Sequence, residues 1–204
     1  MTRWLPLLAE LQAGAAHRLA GVASLALRLY LAPVFWVAGW NKAVAFDEVV
    51  HWFSDADWGL GLPFPRLMAA LATGAELGGS VLLALGWLTR AATVPLMVTM
   101  AVAAITVHAP HGWQAVHDLR SPWPSIHAEA ALDRLERARA LLQEHGDYAW
   151  LTEHGRLVMS NNGMEWAITY LVMLVALFVL GGGRGVSLDH WISKRLFRPR
   201  VSTQ

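Results

Sequence analysis

The hydrophobic and polar positions along the chain fall into long apolar runs separated by short polar breaks. Four windows approach the length that a hydrocarbon core of about 30 Å requires of a helix: Val22 to Phe46, Arg66 to Leu88, Ala91 to His108 and Met164 to Gly182. Each predicts a membrane-spanning helix. The second and third are joined only by Trp87, Leu88, Thr89 and Arg90, which allows a tight helical hairpin and makes these two spans antiparallel neighbours. Ahead of the first span, Trp4, Leu5, Leu7, Leu8 and Leu11 are followed by His17 and Arg18. This arm is too weakly apolar to cross a bilayer and lacks the basic-then-apolar order of a signal peptide, so it predicts a retained interfacial helix. The insert between the third and fourth spans reads like soluble protein. From Ser125 to Glu144 the apolar positions Ile126, Leu132, Leu135, Leu141 and Leu142 follow a period of about 3.6, which predicts an amphipathic helix with Ser125 as N-cap and an end at Gly146. Between Tyr148 and Met159 a short helix and a small hairpin fit equally well.

The fold expected is therefore all-α, an integral membrane four-helix bundle. Its parts are an interfacial N-terminal arm over 1–21, spans one to three within 22–108, an outward insert over 109–162, a fourth span over 163–183 and a basic tail over 184–204.

Composition agrees with a bilayer as the solvent. Of 204 residues, 55% are hydrophobic and 15% charged, with a mean hydropathy of +0.38, against about 25% charged in a soluble domain. The lipid bilayer is thus the first partner. Sixteen Lys and Arg against fifteen Asp and Glu leave no basic field of the kind nucleic acid requires, and nucleic acid is excluded as a partner. The absence of cysteine removes disulfides, thiolate metal sites and dithiol redox centres. Basic residues crowd the tail (Arg184, Lys194, Arg195, Arg198, Arg200) and mark the arm (Arg3, Arg18), while the loop after the first span carries Asp47, Glu48, Asp55 and Asp57. The positive-inside rule then places both termini in the cytoplasm of a bacterial-type inner membrane.

Ionisable side chains at bilayer depth are costly and therefore conspicuous. Arg28, Phe35, Gly39 and Lys42 are spaced by seven, four and three residues, which puts them on one helical stripe. Glu76 lies near the middle of the second span, with Thr73, Gly79 and Ser80 on its face. A carboxylate at that depth needs a cation or a proton, and Arg28 or Lys42 could reach it from opposite ends. Two readings of the trio stand side by side. One is a structural ion pair between Glu76 and Arg28, with Gly39, Gly78 and Gly79 letting backbones approach and Lys42 snorkelling outward. The other is a polar pocket for a quinone head group or a proton relay formed by Arg28, Lys42 and Glu76. Trp36, Trp40, Trp52, Trp58, Trp87, Trp113, Trp123 and Trp166 fit an interfacial aromatic belt.

The segments RLYLAPVFWVAGWNK and ELGGSVLLALGWLTR, with Arg28, Phe35, Gly39, Lys42, Glu76, Gly78, Gly79, Gly86, Thr89 and Arg90, resemble the DoxX family of small four-span membrane proteins. Met100 and Ala101, then Asn162, Gly163 and Glu165 in NNGMEW, and Gly181, Gly183, Ser187, Leu188 and Asp189 in GGGRGVSLD are similar to the later motifs of that family. The resemblance implies a four-helix membrane bundle linked to thiosulfate:quinone oxidoreductase subunits and other membrane oxidoreductase complexes. The long insert departs from the short loop usual in the family.

Two functions follow as expectations. The first is a membrane subunit or accessory of an oxidoreductase system that meets quinone among its spans and relies on a protein partner for its redox centre, since none is evident in the chain. The second is a non-enzymatic membrane partner or transport accessory that recognises a protein or metal through the insert. For the second, His51, His108, His111, His117, His127, His145 and His154 all fall in or beside the outward loops. His108 and His111, with Glu165 at the start of the fourth span, are the candidate metal ligands.

Overall fold

The computed structural model describes the backbone of residues 4–196 and the side chains of residues 19–195. The apolar face expected at Trp4 to Leu11, and Arg198 and Arg200 of the tail, lie outside what is described. Among the described residues the elements are α1 Trp4–Val44, α2 Phe46–Ser54, α3 Pro65–Leu85, α4 Thr89–Val102, α5 Ala128–His145, α6 Tyr148–Leu151, α7 Glu165–Leu180 and α8 Leu188–Leu196. The chain is an all-α membrane protein. Among the described residues three stretches are long and apolar enough to cross a bilayer: Leu19–Val44 within α1, α3, and Thr89–His111. In the last of these α4 continues through a π-helical turn at Ala103–His108 and a 3-10 turn at Ala109–His111. The fourth apolar run forms α7, whose 16 residues span about 24 Å at 1.5 Å per residue, shorter than the expected window. The N-terminal arm and the first span share one uninterrupted helical backbone. Helices α2 and α8, nine residues each, were not expected, because two turns are too short for a hydrophobic period to stand out.

The described residues divide into two compact units, one up to Thr99 together with those from Tyr170 onward, and the other Met100–Thr169. In the first, α1 buries Ser24, Arg28, Leu31 and Phe35, and α3 buries Ala69, Thr73, Glu76, Ser80 and Leu83, each set recurring every three or four positions as a packed helical face should. Glycine decides how closely the helices approach. A Cβ on Gly39 would lie 2.9 Å from the Leu77 backbone nitrogen, and one on Gly79 2.9 Å from Leu96 Cγ, whereas Gly78 faces open space. Gly39 and Gly79 are therefore the close-approach points of α1 on α3 and α3 on α4, and the expectation for Gly78 is corrected. Tyr170 of α7 packs on Tyr30 and Phe35 of α1, with ring centroids 6.5 and 6.3 Å away. Farther along, Ser24 donates to the Gly181 carbonyl (2.6 Å) and Arg90 to the Phe178 carbonyl (3.0 Å). These contacts make α1 and α4 run one way and α3 and α7 the other.

The second unit is organised by two amides. Asn161 Nδ2 donates to the carbonyls of His111 (2.7 Å) and Gln114 (2.8 Å), while Gln114 Oε1 accepts the Ser125 N–H and its Nε2 donates to the Asp118 carbonyl. Helix α5 starts at Ala128, three residues after the expected cap, because Ser125 turns the chain just upstream by accepting the His127 N–H. Its buried stripe is Ala128, Ala131 and Leu135; Leu141 is exposed, and Ile126, ahead of the helix, is 90% exposed. The small alanines let α5 lie close, and Arg139 ties it to the Leu157 carbonyl at 2.8 Å. The run after Tyr148 resolves into the single turn α6 and an extended stretch with one isolated bridge, Val116 to Ser160. Gly163 is the tightest point of this unit. Its N–H donates to the Gln114 carbonyl (3.0 Å), and a Cβ there would run into that oxygen and come within 2.6 Å of the Trp113 carbonyl. Gly163→Ala is expected to destabilise the unit by about 2–3 kcal/mol, a steric penalty that rigid backbone cannot relax, and to speed proteolysis of residues 113–163; unchanged proteolysis would contradict it.

Candidate functional site

Lys42 reaches Glu76, with Nζ 2.9 Å from Oε1 and 2.7 Å from Oε2. The partner expected from the structural reading, Arg28, is engaged elsewhere. The physical reason is register: because α1 and α3 are antiparallel and cross at Gly39 and Leu77, the residue one turn after Gly39 meets Glu76, whereas Arg28, eleven residues earlier, comes level with Leu83. Glu76 is 1% exposed and the Lys42 side chain 29% exposed, so the pair has a closed acidic side and a partly open basic side. An ammonium carries three N–H donors and Glu76 occupies two directions, which leaves one at the open side. One turn from Glu76 on the same face, the Thr73 hydroxyl is buried and has no hydrogen-bond partner among the described residues.

At the C-terminal end of α3, charged side chains cap helix ends in a reciprocal set. Arg28, 1% exposed, donates from Nη1 to the Leu83 (3.1 Å) and Ala84 (3.3 Å) carbonyls and from Nη2 to the Val186 carbonyl (2.7 Å). Arg90 likewise donates to the Phe178 and Val179 carbonyls at 3.0 and 3.1 Å. Cations thus sit on the carbonyl ends of α3 and α7, where the helix dipole favours them. Asp189 completes the set, accepting the N–H groups of Leu88 (2.7 Å) and Thr89 (3.0 Å) at the start of α4. Gly86 makes the corner possible: at φ +64° it ends α3 in a Schellman turn, with Gly86 N–H on the Leu83 carbonyl and Trp87 N–H on the Leu82 carbonyl. Thr89 and Arg90 stood out in the sequence as part of the short hairpin joint, whereas Gly86, Gly181, Ser187 and Asp189 stood out only through resemblance. Their common role at one corner had no signal in the sequence beyond their order.

Of the candidate metal ligands in the second unit, the His108 and Glu165 side chains are drawn into hydrogen bonds, and His111 takes part only through its backbone. His108 Nδ1 lies 2.7 Å from the Asn162 carbonyl, which can only accept, so Nδ1 carries the proton. His111 offers its backbone carbonyl to Asn161, and Glu165 Oε2 accepts the Ala115 N–H at 3.0 Å. Among the described residues no group of three or more His, Asp or Glu side chains is placed to hold a metal ion. Burial, and after it the nearby His127, hold the His117 imidazole below its ordinary range, which favours its neutral form. On the first loop the Asp55 carboxylate is held low by the Trp58 and Asp57 N–H groups it accepts.

Compared with known families, residues 23–109 match the model of one family, DoxX, a segment that holds α1 from residue 23 onward with α2, α3 and α4, and ends where the insert begins. The segments around Asn162 and from Gly181 to Asp189 lie outside that match. No curated protein and no solved structure matches the chain.

Proposed function

We propose that this DoxX-family membrane protein is a membrane component of an oxidoreductase system, and that Lys42, Glu76 and Thr73 form its contact for a quinone head group. The observation that carries the reading is the Lys42–Glu76 pair, 2.7 Å apart within the helices long and apolar enough to cross a bilayer, with a spare ammonium N–H on its open side and an unpartnered Thr73 hydroxyl beside it. A quinone offers carbonyl oxygens that only accept, so the donors present fit the group. Bound there, a quinone would supply two-electron redox chemistry that the chain's own residues do not, with electrons entering from a protein partner. The chain's contribution is to bind and orient the head from Lys42 and to hold charge balance through Glu76. Arg28 belongs to the corner described above and has no part in this contact. The site faces the inner membrane's lipid phase in this reading, with both termini cytoplasmic.

The test is titration of the protein, reconstituted in nanodiscs, with a short-chain ubiquinone analogue while its tryptophan emission is recorded. Saturable quenching is expected, weakened at least about fivefold by Thr73→Val, which removes a donor and keeps the shape. Linear, non-saturable quenching identical in the variant would reject quinone binding and favour the non-enzymatic membrane-partner reading.

A further inference from the structure

The capped corner of the first unit opens into a cleft of about 620 Å³ whose floor is the glycine run Gly181, Gly182 and Gly183, and whose sides carry Arg90, Arg184 and His190. Its chemistry is that of an anion site left with spare donors. Positive φ at Gly181 (+70°), Gly183 (+86°) and Gly185 (+81°) alternates with residues of ordinary sign, the backbone pattern that turns successive N–H groups toward one concavity. The Gly182 and Gly183 N–H groups donate to no protein acceptor among the described residues. Arg184 is exposed and its guanidinium has no partner among them either. Thr89, 0% exposed, places a hydroxyl without a hydrogen-bond partner among the described residues at the cleft floor, where a Cβ on Gly182 would lie 2.9 Å from its Oγ1. The one carboxylate lining the cleft, Asp189, lies at the same floor, with Oδ2 also 2.9 Å from a Cβ on Gly182, and accepts the Leu88 and Thr89 N–H groups.

From the convergence of a free guanidinium, two spare backbone N–H groups and a buried unpartnered hydroxyl, we propose that this cleft binds a phosphate group. A membrane-facing corner meets that chemistry in two sources, the head group of an acidic phospholipid and phosphate free in solution. The exposed basic residues Lys194 and Arg195 on adjoining α8 add a field that draws either toward the cleft. The site is separate from the Lys42–Glu76 pair and does not depend on the reading of that pair.

The protein purified in dodecyl maltoside is titrated with dioctanoyl phosphatidylglycerol, dioctanoyl phosphatidylcholine or sodium phosphate, and its melting temperature is followed by tryptophan fluorescence. A saturable rise with phosphatidylglycerol and none with phosphatidylcholine is expected for a lipid source; a saturable rise with sodium phosphate identifies the free ion. Arg184→Gln should weaken the half-saturating concentration at least about tenfold, as loss of a charge-assisted pair does. Arg195→Gln, outside the cleft wall, should weaken it by no more than about twofold, the loss of a screened field and not of a contact. Thr89→Val gives a second signature: relief of a buried unpartnered hydroxyl raises the melting temperature without ligand, while the response to ligand falls. No saturable response to phosphatidylglycerol or phosphate overturns the proposal. So do an equal response to phosphatidylcholine, which reports acyl chains, and equal weakening by Arg184→Gln and Arg195→Gln, which reports diffuse charge.

Discussion

Lys42→Met is expected to cost about 3 kcal/mol of unfolding free energy, while the double variant Lys42→Met, Glu76→Gln returns most of it. Removing one partner of a buried pair leaves the other charge uncompensated, a penalty of about 3–5 kcal/mol in proteins, trimmed here because the Lys42 end is partly open. Among the described residues Glu76 has no second cation: Arg28 is committed to three carbonyls. Glu76→Gln alone should cost less, about 1 kcal/mol, since the amide oxygen still accepts from Lys42 and the ammonium left behind has access to its 29% exposed side. Equilibrium unfolding in mixed micelles measures all four proteins, and the coupling energy of the cycle isolates the pair. A Lys42→Met protein within about 0.5 kcal/mol of the parent would show that the pair does not hold α1 against α3.

The second large effect is expected at the capped corner. Arg28→Met removes the donor of three hydrogen bonds at once, on Leu83, Ala84 and Val186, and should cost about 3–4 kcal/mol because bonds from a charged donor are worth about 1.5–3 kcal/mol each and are not fully additive. Arg28→Lys should recover less than half, since a compact ammonium cannot bridge carbonyls that the planar guanidinium spans. Gly86→Ala attacks the same corner from the other side. At φ +64° any side chain is strained, and the added Cβ would collide with Arg28 Nη1 and lie 2.7 Å from Ser187 Cβ, so a loss of about 3 kcal/mol is expected. Because both substitutions dismantle one contact set, the double variant should lose clearly less than the sum. Strict additivity of the two losses, measured by the same unfolding titration, would separate Gly86 from the Arg28 caps and refute the corner as a unit.

What could be read from the sequence was local. The apolar windows, the stripe through Arg28, Phe35, Gly39 and Lys42, and the conspicuous Glu76 all follow from two local facts, the cost of polar groups in hydrocarbon and the turn of a helix. A continuous run of about 20 residues reports the first, and a spacing of three or four reports the second. The insert was visible as soluble-like for the same reason, although of its packed face only Leu135 was. Leucines are the stronger hydrophobic signal, but Ala128 and Ala131 lie buried because close packing there rewards a small side chain. The partner of Glu76 was beyond the sequence, since Arg28 and Lys42 lie on one stripe and only the crossing point at Gly39 and Leu77 sets which of them is level with the carboxylate. The corner lay further out of reach. Asp189 caps a helix that begins 100 residues earlier, and Arg28 ties together carbonyls 55 and 158 residues away. Helix ends leave donors and acceptors that any suitable side chain can satisfy, so the sequence determined which groups needed partners, and only the packing of α1, α3, α4 and α7 decided which partners they took.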